Sequence, residues 1–443
     1  MNVLDMITKA VRRLFGKNDI KKFYDTEPAA GALMAASIDR WYQMYAGAAP
    51  WLTKDTVSLR LEQGIVRELA NITLSEMTVS AGNGKLDTLL TAALRDLNLG
   101  LQAGLATGAM VIKPLGTDGV QCIPQNSFIP LKYNASGRLT DVIFPEINKV
   151  RENEYLIRME RHTLDARGLT ISNRAFRSRT PDTLDREIAL GSVPEWADIA
   201  EAVTYPGVTR PAFGYYVNPI SNTIDGSAAG VSVFASAEEL IRRTDTQSAR
   251  LDWEYDSAER AIHADTAALK LTENGVELPK KRLYRGLDLM QTNGELFKEF
   301  SPALRDGGYL NGLNEYKRAV EFVVGLAYGD ISDPQSIDKT ATEIRAAKSR
   351  KYNTVSAIQE NLRRCLDDLL YALAFWNGMT SARYELSCTF KDSILADEQS
   401  ERDEDRKDLA AGILRPEEYR AKWYGESVET ALANLPDTAQ VLE

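Results

Sequence analysis

An α+β fold is what this sequence predicts, and three observations point to it. Residues 340–376 run for ten turns of helix without a glycine or proline. Residues 108–144 instead hold short apolar runs punctuated by Gly116, Gly119, Pro124, Pro130 and Gly137, the pattern of strands and turns. Helical spacing returns over 235–262, so that helices and strands fall in separate blocks.

In chain order, residues 1–17 read as a short basic amphipathic helix, with Leu4, Ile7, Val11 and Leu14 on one face and Lys9, Arg12, Arg13 and Lys17 between them. Residues 39–51, DRWYQMYAGAAPW, are rich in aromatics that should pack and end in a proline turn. Helices are expected over 58–77 and 86–105, from apolar residues spaced by three and four. After the β-rich block, Tyr155, Ile157 and Met159 alternate, as do Leu169 and Ile171 beyond a turn at 166–168, which predicts a hairpin. Residues 172–211 are polar and give no assignment, and the block closes on FGYYVNP and a turn rich in glycine and serine that reaches Gly230. Ile241, Thr244, Ser248, Leu251, Tyr255, Ala258 and Ile262 then form a narrow seam, too polar for a globular core and suited to a helix lying against like helices. Residues 263–301 are short and strand-like, with Asn274-Gly275, Arg285-Gly286 and Asn293-Gly294 as turns. A further helix is expected over 308–326. Tyr384, Leu386, Cys388 and Phe390 alternate as a strand, and Pro416 opens a last helix to Tyr424.

The junction at residues 322–344, FVVGLAYGDISDPQSIDKTATEI, carries the most information. An apolar helix stops in a turn of glycine, aspartate and proline, and a second helix restarts at a capping box in which Thr340 and Glu343 stand in the S/T-x-x-E relation. Arg345, Lys348, Arg350 and Lys351 make the first half of that long helix basic, whereas Val355, Ile358, Leu362, Leu366, Leu369 and Leu373 make its second half apolar. One end can meet phosphates or the acidic groups of a neighbouring subunit, and the other belongs in a core.

Composition excludes several classes of function. No run approaches the roughly 18 apolar residues of a membrane span. Cys122, Cys365 and Cys388 are too few and too scattered for a disulfide framework or a zinc site and suit a reducing cytoplasm. The net charge of −10, from 53 basic and 63 acidic residues, argues against a surface that grips phosphates throughout, while leaving room for DNA that must slide. Two histidines, His162 and His263, provide no ligand set. Gly82-Asn83-Gly84-Lys85 is a turn rather than a phosphate loop, because Leu86 stands where Ser or Thr would hold magnesium and Val79 where the first glycine belongs. Gly230 to Phe234 lacks the second glycine of a nucleophile elbow. The pair Asp367-Asp368 is best explained by solvation. The acidic cluster Asp397, Glu398, Glu401, Asp403, Glu404 and Asp405, interleaved with Arg402, Arg406 and Lys407, reads as a solvated helix of salt bridges rather than a cation site. No motif for sequence-specific readout of nucleic acid is present.

The words DRWYQMYAG, GAMVIKP, GVSVFASA after an Asn-Pro turn, GLAYGDIS, KTATEI and FKDSI occur in this order. Together they make nearly the whole chain resemble the portal proteins of tailed bacteriophages. The resemblance implies a β-rich wing at 1–234, a descending stem helix at 235–262, a small clip at 263–301 and a returning stem helix at 302–326. A tunnel loop at 327–339 follows, then the long wing helix at 340–377 and a C-terminal strand with short crown-like helices at 378–443. It further implies a dodecameric ring at one capsid vertex of the virion, assembled in the bacterial cytoplasm, that conducts double-stranded DNA during packaging and ejection. The expected partners are the terminase large subunit, a head-tail adaptor, and the major capsid and scaffolding proteins, with no membrane and no cofactor. The family has no catalytic residues, since a separate terminase ATPase drives translocation. Tyr328, Asp330, Ile331, Asp333, Gln335 and Lys339 would then face the channel. Another head or neck component is the neighbouring reading, separated by an oligomer count. A nucleotide-dependent enzyme would need a phosphate loop or metal cluster.

Overall fold

The computed structural model describes residues 19–116, 119–265, 270–272, 275–277, 284–287, 297–333, 341–390 and 398–435, with the backbone alone over 265–298, 341–347 and 398–401. The amphipathic helix expected at 1–17 lies outside these residues. The chain is α+β with predominantly antiparallel sheets.

Six segments open the chain: helices α1 (Asp19–Tyr24), α2 (Ala32–Tyr45) and α3 (Leu61–Leu74), strand β1 (Met77–Ser80), and helices α4 (Gly84–Ala93) and α5 (Leu97–Thr107). Met34, Ile38, Trp41 and Met44 of α2 are buried at spacings of three and four, and Ile65, Val66, Leu69 and Ala70 of α3 are buried on one face. The helix expected over 58–77 is shorter than its pattern, since Met77 already pairs with Phe390 as a strand. The single helix expected over 86–105 is two. The chain turns at residues 94–96, which lets both the Leu86/Leu90 face and the Leu97/Leu101/Leu105 face reach one core. Asn83 caps α4, its side chain accepting the Leu86 amide hydrogen, so Gly82 to Lys85 is a helix start.

Nine strands follow: β2 (Ala109–Pro114), β3 (Val120–Pro124), β4 (Ile129–Tyr133), β5 (Leu139–Arg151), β6 (Glu154–Asp165), β7 (Gly168–Ser178), β8 (Arg186–Ile188), β9 (Ala202–Pro206) and β10 (Gly214–Val217). Strands β4 to β8 form an antiparallel sheet in sequence order, and β9 also pairs with β7. The expected hairpin is β6–β7, with Met159 opposite Arg174 and Leu169 opposite Leu164. The polar stretch that gave no assignment supplies β8, β9 and the buried Trp196. Strand β2 lies between β10 and β3, and its alternation serves two cores: Met110 and Ile112 face the helices, Ala109 and Val111 the strands.

The rest of the chain is helix α6 (Glu238–Ser257), strands β11 (Ala261–Asp265), β12 (Lys270–Thr272), β13 (Gly275–Glu277), β14 (Tyr284–Leu287) and β15 (Phe297–Phe300), helices α7 (Asp306–Val324) and α8 (Ala341–Trp376), strand β16 (Ser387–Phe390), and helices α9 (Glu398–Ala410), α10 (Pro416–Tyr424) and α11 (Val428–Ala433). The helix expected to reach Ile262 stops at Ser257, because Ile262 pairs with Tyr284 and Glu299 as part of β11. Helices α6 and α7 pack side by side, joined by a Gln247 hydrogen bond to the Tyr309 carbonyl (3.3 Å) and by Glu254, which takes Arg305 at 2.6 Å. Asp405 on α9 binds Lys422 (2.6 Å) and the Trp423 indole (2.8 Å) of α10, consistent with a salt-bridged helix. Among the described residues no helix is long and apolar enough to cross a membrane.

Two features hold the parts together. Val355, Ile358, Leu362, Leu366, Leu369 and Leu373 of α8 are all buried in one core with α2 to α7 and β2. Where α5 meets the segment before α6, the Gly108 and Gly230 backbones touch. A Cβ on Gly108, whose φ is +109°, would lie 2.1 Å from the Gly230 carbonyl, so a side chain is excluded by space and by conformation. Gln125 bonds Gly230 twice, at 3.0 Å through each amide atom, and Asn218 donates to the Leu105 and Val231 carbonyls.

The solvation reading of Asp367-Asp368 is corrected. Asp368 is buried, and Arg210 spans both carboxylates at 2.5 and 2.6 Å while lying over the Tyr371 ring at 5.1 Å. The chain between β9 and β10 delivers the arginine, which no pattern on α8 could announce. Arg210→Ala would leave Asp368 buried with Arg138 alone, at 3.6 Å, for compensation. We expect a loss of about 3 kcal/mol in urea unfolding, partly restored in the Arg210→Ala/Asp368→Ala double variant.

Candidate functional site

The junction between α7 and α8 is built around one carboxylate. Glu321 sits in the last turn of α7 between buried Val320 and Val324 and is itself fully buried. The helix ends at Gly325 in the left-handed conformation (φ +81°), where a Cβ would strike the Thr354 hydroxyl of α8 at 2.2 Å. The chain then folds back over the helix end. Glu321 Oε1 accepts the amide hydrogens of Gly329 (3.0 Å), Ile331 (2.6 Å) and Ser332 (2.8 Å), and Oε2 accepts the Ser332 hydroxyl (2.8 Å). Converging backbone amides form an anion-binding concavity, and here the chain's own side chain fills it. Asn314 Oδ1 extends the arrangement by accepting the Asp333 amide hydrogen at 2.8 Å.

The site residues expected from the sequence fall into distinct places. Asp330 accepts the Ala327 amide hydrogen (2.9 Å) and pairs with Lys351 of α8 (3.1 Å), which also takes Glu68 of α3 (2.9 Å). Lys351 is only 11% exposed and is committed within the chain. Arg350 lies over the rings of Phe322 (4.6 Å) and Tyr328 (5.2 Å), and its Nη1 reaches the Leu326 carbonyl (3.4 Å). Ile331 packs on the main core, Asp333 is exposed, and Lys348 is exposed on α8. Gln335, Lys339, the Thr340 cap and the side chains of Glu343 and Arg345 lie outside the described residues.

The seam on α6 is divided. Ile241, Thr244 and Leu251 are buried within this one chain, Ser248 and Ala258 are half-buried, Ile262 belongs to β11, and Tyr255 is exposed beside Trp253. Its buried members therefore have a partner in the chain itself, while Tyr255 and Trp253 are exposed on different sides of the helix.

Sequence reasoning missed Glu321, Ser332, Asn314 and Glu68. A signal for Glu321 existed: it is the lone acid in an apolar helix end, VEFVVG. The others are brought in by the fold.

A second cluster of ionisable groups lies on the β-sheet. Burial would raise the Glu160 carboxyl, but the hydrogen bond from His162 and the charge of Lys113 hold it well below the usual carboxylate range. Burial holds His162 below the usual imidazole range. Glu160 also takes Arg158 (3.1 Å), and Arg158 takes Glu146 (2.6 Å). A cavity of about 290 Å³ opens beside this network, whose charges are matched to one another. Among the described residues no group of three or more His, Cys, Asp or Glu side chains is placed to hold a metal ion.

Replacing Glu321 tests the junction. Glu321→Ala removes the acceptor of three amides and a hydroxyl at a buried position, for an expected loss of about 3 kcal/mol in chemical denaturation. Hydrogen exchange should show the Gly329, Ile331 and Ser332 amides losing protection first, ahead of the β-sheet.

No protein-family model matches this chain, and no curated protein is significantly similar to it.

Proposed function

We propose that this chain is a subunit of a portal-type ring that conducts double-stranded DNA through the vertex of a phage capsid, with the α7–α8 junction turned toward the passing duplex. The reading is supported by the order of the sequence words that resemble portal proteins and by the build of the junction. The observation that carries it is the fate of the charges there. Glu321 takes the Gly329, Ile331 and Ser332 amides, Lys351 is paired with Glu68 and Asp330, and Arg350 is spread over two aromatic rings, while Lys348 is exposed on α8. Over its described residues, 327–333, the loop offers backbone carbonyl and carboxylate and includes no cation. It can touch a polyanion sterically without releasing many counterions, which is what a moving duplex needs.

The long helix supplies the support. Its 36 residues span about 54 Å, with the apolar half locked in the core and the basic half next to the loop. The helical pair α6–α7 carries β11 to β15 between its members, an order that agrees with a stem bearing a clip. Terminase and the head-tail adaptor would dock on that small β-unit, and the ring would contact the major capsid and scaffolding proteins.

Two measurements test this reading. Native mass spectrometry and negative-stain imaging of the purified protein should show a closed ring with a central channel, whereas protein that stays monomeric at high concentration, with or without the other head proteins, overturns it. Asp333→Lys should leave ring assembly intact and reduce packaged or retained DNA. Normal packaging and retention in that variant would remove the loop from the conduction path.

A further inference from the structure

Glu62 stands out among the buried groups of the chain. It lies in the first turn of α3, is fully buried, and neither carboxylate oxygen has a side-chain partner among the described residues. Its neighbour across the packing is Asp245 of α6, also fully buried. Asp245 is a clasp. Its Oδ2 accepts the Trp51 indole hydrogen and its Oδ1 the Leu59 amide hydrogen, both at 2.9 Å, so one side chain holds both ends of the segment between α2 and α3 against α6. Between those points the segment is tied mainly to itself, through the Thr53 hydroxyl and the Asp55 and Thr56 amides, and Val57 is 69% exposed. At its end Arg60 takes the left-handed conformation (φ 58°) and spends its guanidinium on the Ala46 carbonyl at 2.8 Å.

The charges facing Glu62 leave it uncompensated. Its own backbone amide and the Arg60 charge, which is bonded elsewhere, favour the ionised form, but burial outweighs both. Lys351, from α8 packed on α3, is taken by Glu68 and Asp330, and Arg40 of α2 is taken by Glu238. An ionised Glu62 would face an ionised Asp245 in the interior, without a cation between them.

We propose that the Glu62–Asp245 pair is a proton-operated latch, closed while Glu62 is neutral and opened by its ionisation, which releases residues 51–60 from α6. Burial first, then the Asp245 charge, pushes the Glu62 carboxyl up to about 7. In the unfolded chain the group ionises in the ordinary carboxylate range. Its contribution to the closed joint is therefore complete below that range and is lost as the pH rises through about 7. Burial also raises Asp245, so its ionisation shifts the balance in the same direction, toward the open joint as the pH rises. The latch is accordingly tightest on the acid side of these ionisations and loosens toward about pH 7. Because α6 leads directly into β11 to β15, the pH at which the latch opens sets how firmly that helix is held to the helical body.

The test is hydrogen exchange of residues 57–60 in the intact protein at about pH 6 and about pH 8.5, with rates corrected for the intrinsic pH dependence. The Leu59 amide should lose protection as the pH rises toward about 7 and then level off, for a total loss of roughly tenfold between the two pH values, and Glu62→Gln should abolish that dependence. Equal protection at both pH values in the unaltered protein overturns the proposal, as does an unchanged pH dependence in Glu62→Gln. A second measurement needs no variant at position 62: the emission of Trp51, taken as the difference between the protein and its Trp51→Phe variant, should shift with a midpoint near 7. A flat difference across that range overturns the proposal equally.

Discussion

Burial of one face of α8 is the constraint from which the rest of the architecture follows. Seven aliphatic side chains from Val355 to Leu373 lie in a single core that also receives α2 to α7 and β2. Each contributes on the order of 2 kcal/mol, so the elements that cover this face are not free to separate. The N-terminal half of α8 continues from that face and is tied back to α3 through Lys351 and Glu68 and to the end of α7 at Thr354 and Gly325. Close backbone contacts fix the covering elements: Gly214 sits against the Cys365 carbonyl of α8, and Gly108 against Gly230.

With the helix in place, the junction becomes a problem of backbone polarity. A chain that reverses between two helices exposes amides that neither helix can satisfy. Glu321 resolves this by presenting one carboxylate to three amides and a hydroxyl, which determines the path of residues 327–333. The same economy governs the cations. Lys351 joins α8 to both α3 and the loop, so loop and helical body are linked through a single ammonium group. Residues 327–333 are thereby tied at the base of the loop, as the proposed contact with a moving duplex requires.

The buried acids show how differently one residue type behaves in different surroundings. Glu321 is surrounded by donors and acts as a structural anion. Asp368 is held by arginine across a sheet edge. Glu160 is shared between a buried histidine, a lysine and an arginine. Glu62 has none of these and is driven toward its neutral form. The difference lies in the donors around each, and for Glu62 burial dominates and pushes the carboxyl up to about 7.

Local pattern determined a great deal of this protein. The long helix, the β6–β7 hairpin, the strand-rich block from Ala109, the helix starting at Pro416 and the glycine stop before the loop were all legible, because each depends on spacing, capping or turn residues within a few positions. What only the tertiary structure decided involves partners distant in sequence. That α6 ends at Ser257 follows from Ile262 finding Tyr284 and Glu299; that Asp368 is buried follows from Arg210 arriving beside it. The loop residues could be named as a polar junction, but their saturation by Glu321 and the capture of Lys351 by Glu68 required the fold. Hydrophobic periodicity encodes which face is buried, whereas the pairing of a buried charge depends on what the opposite surface brings to it, and no local pattern records that.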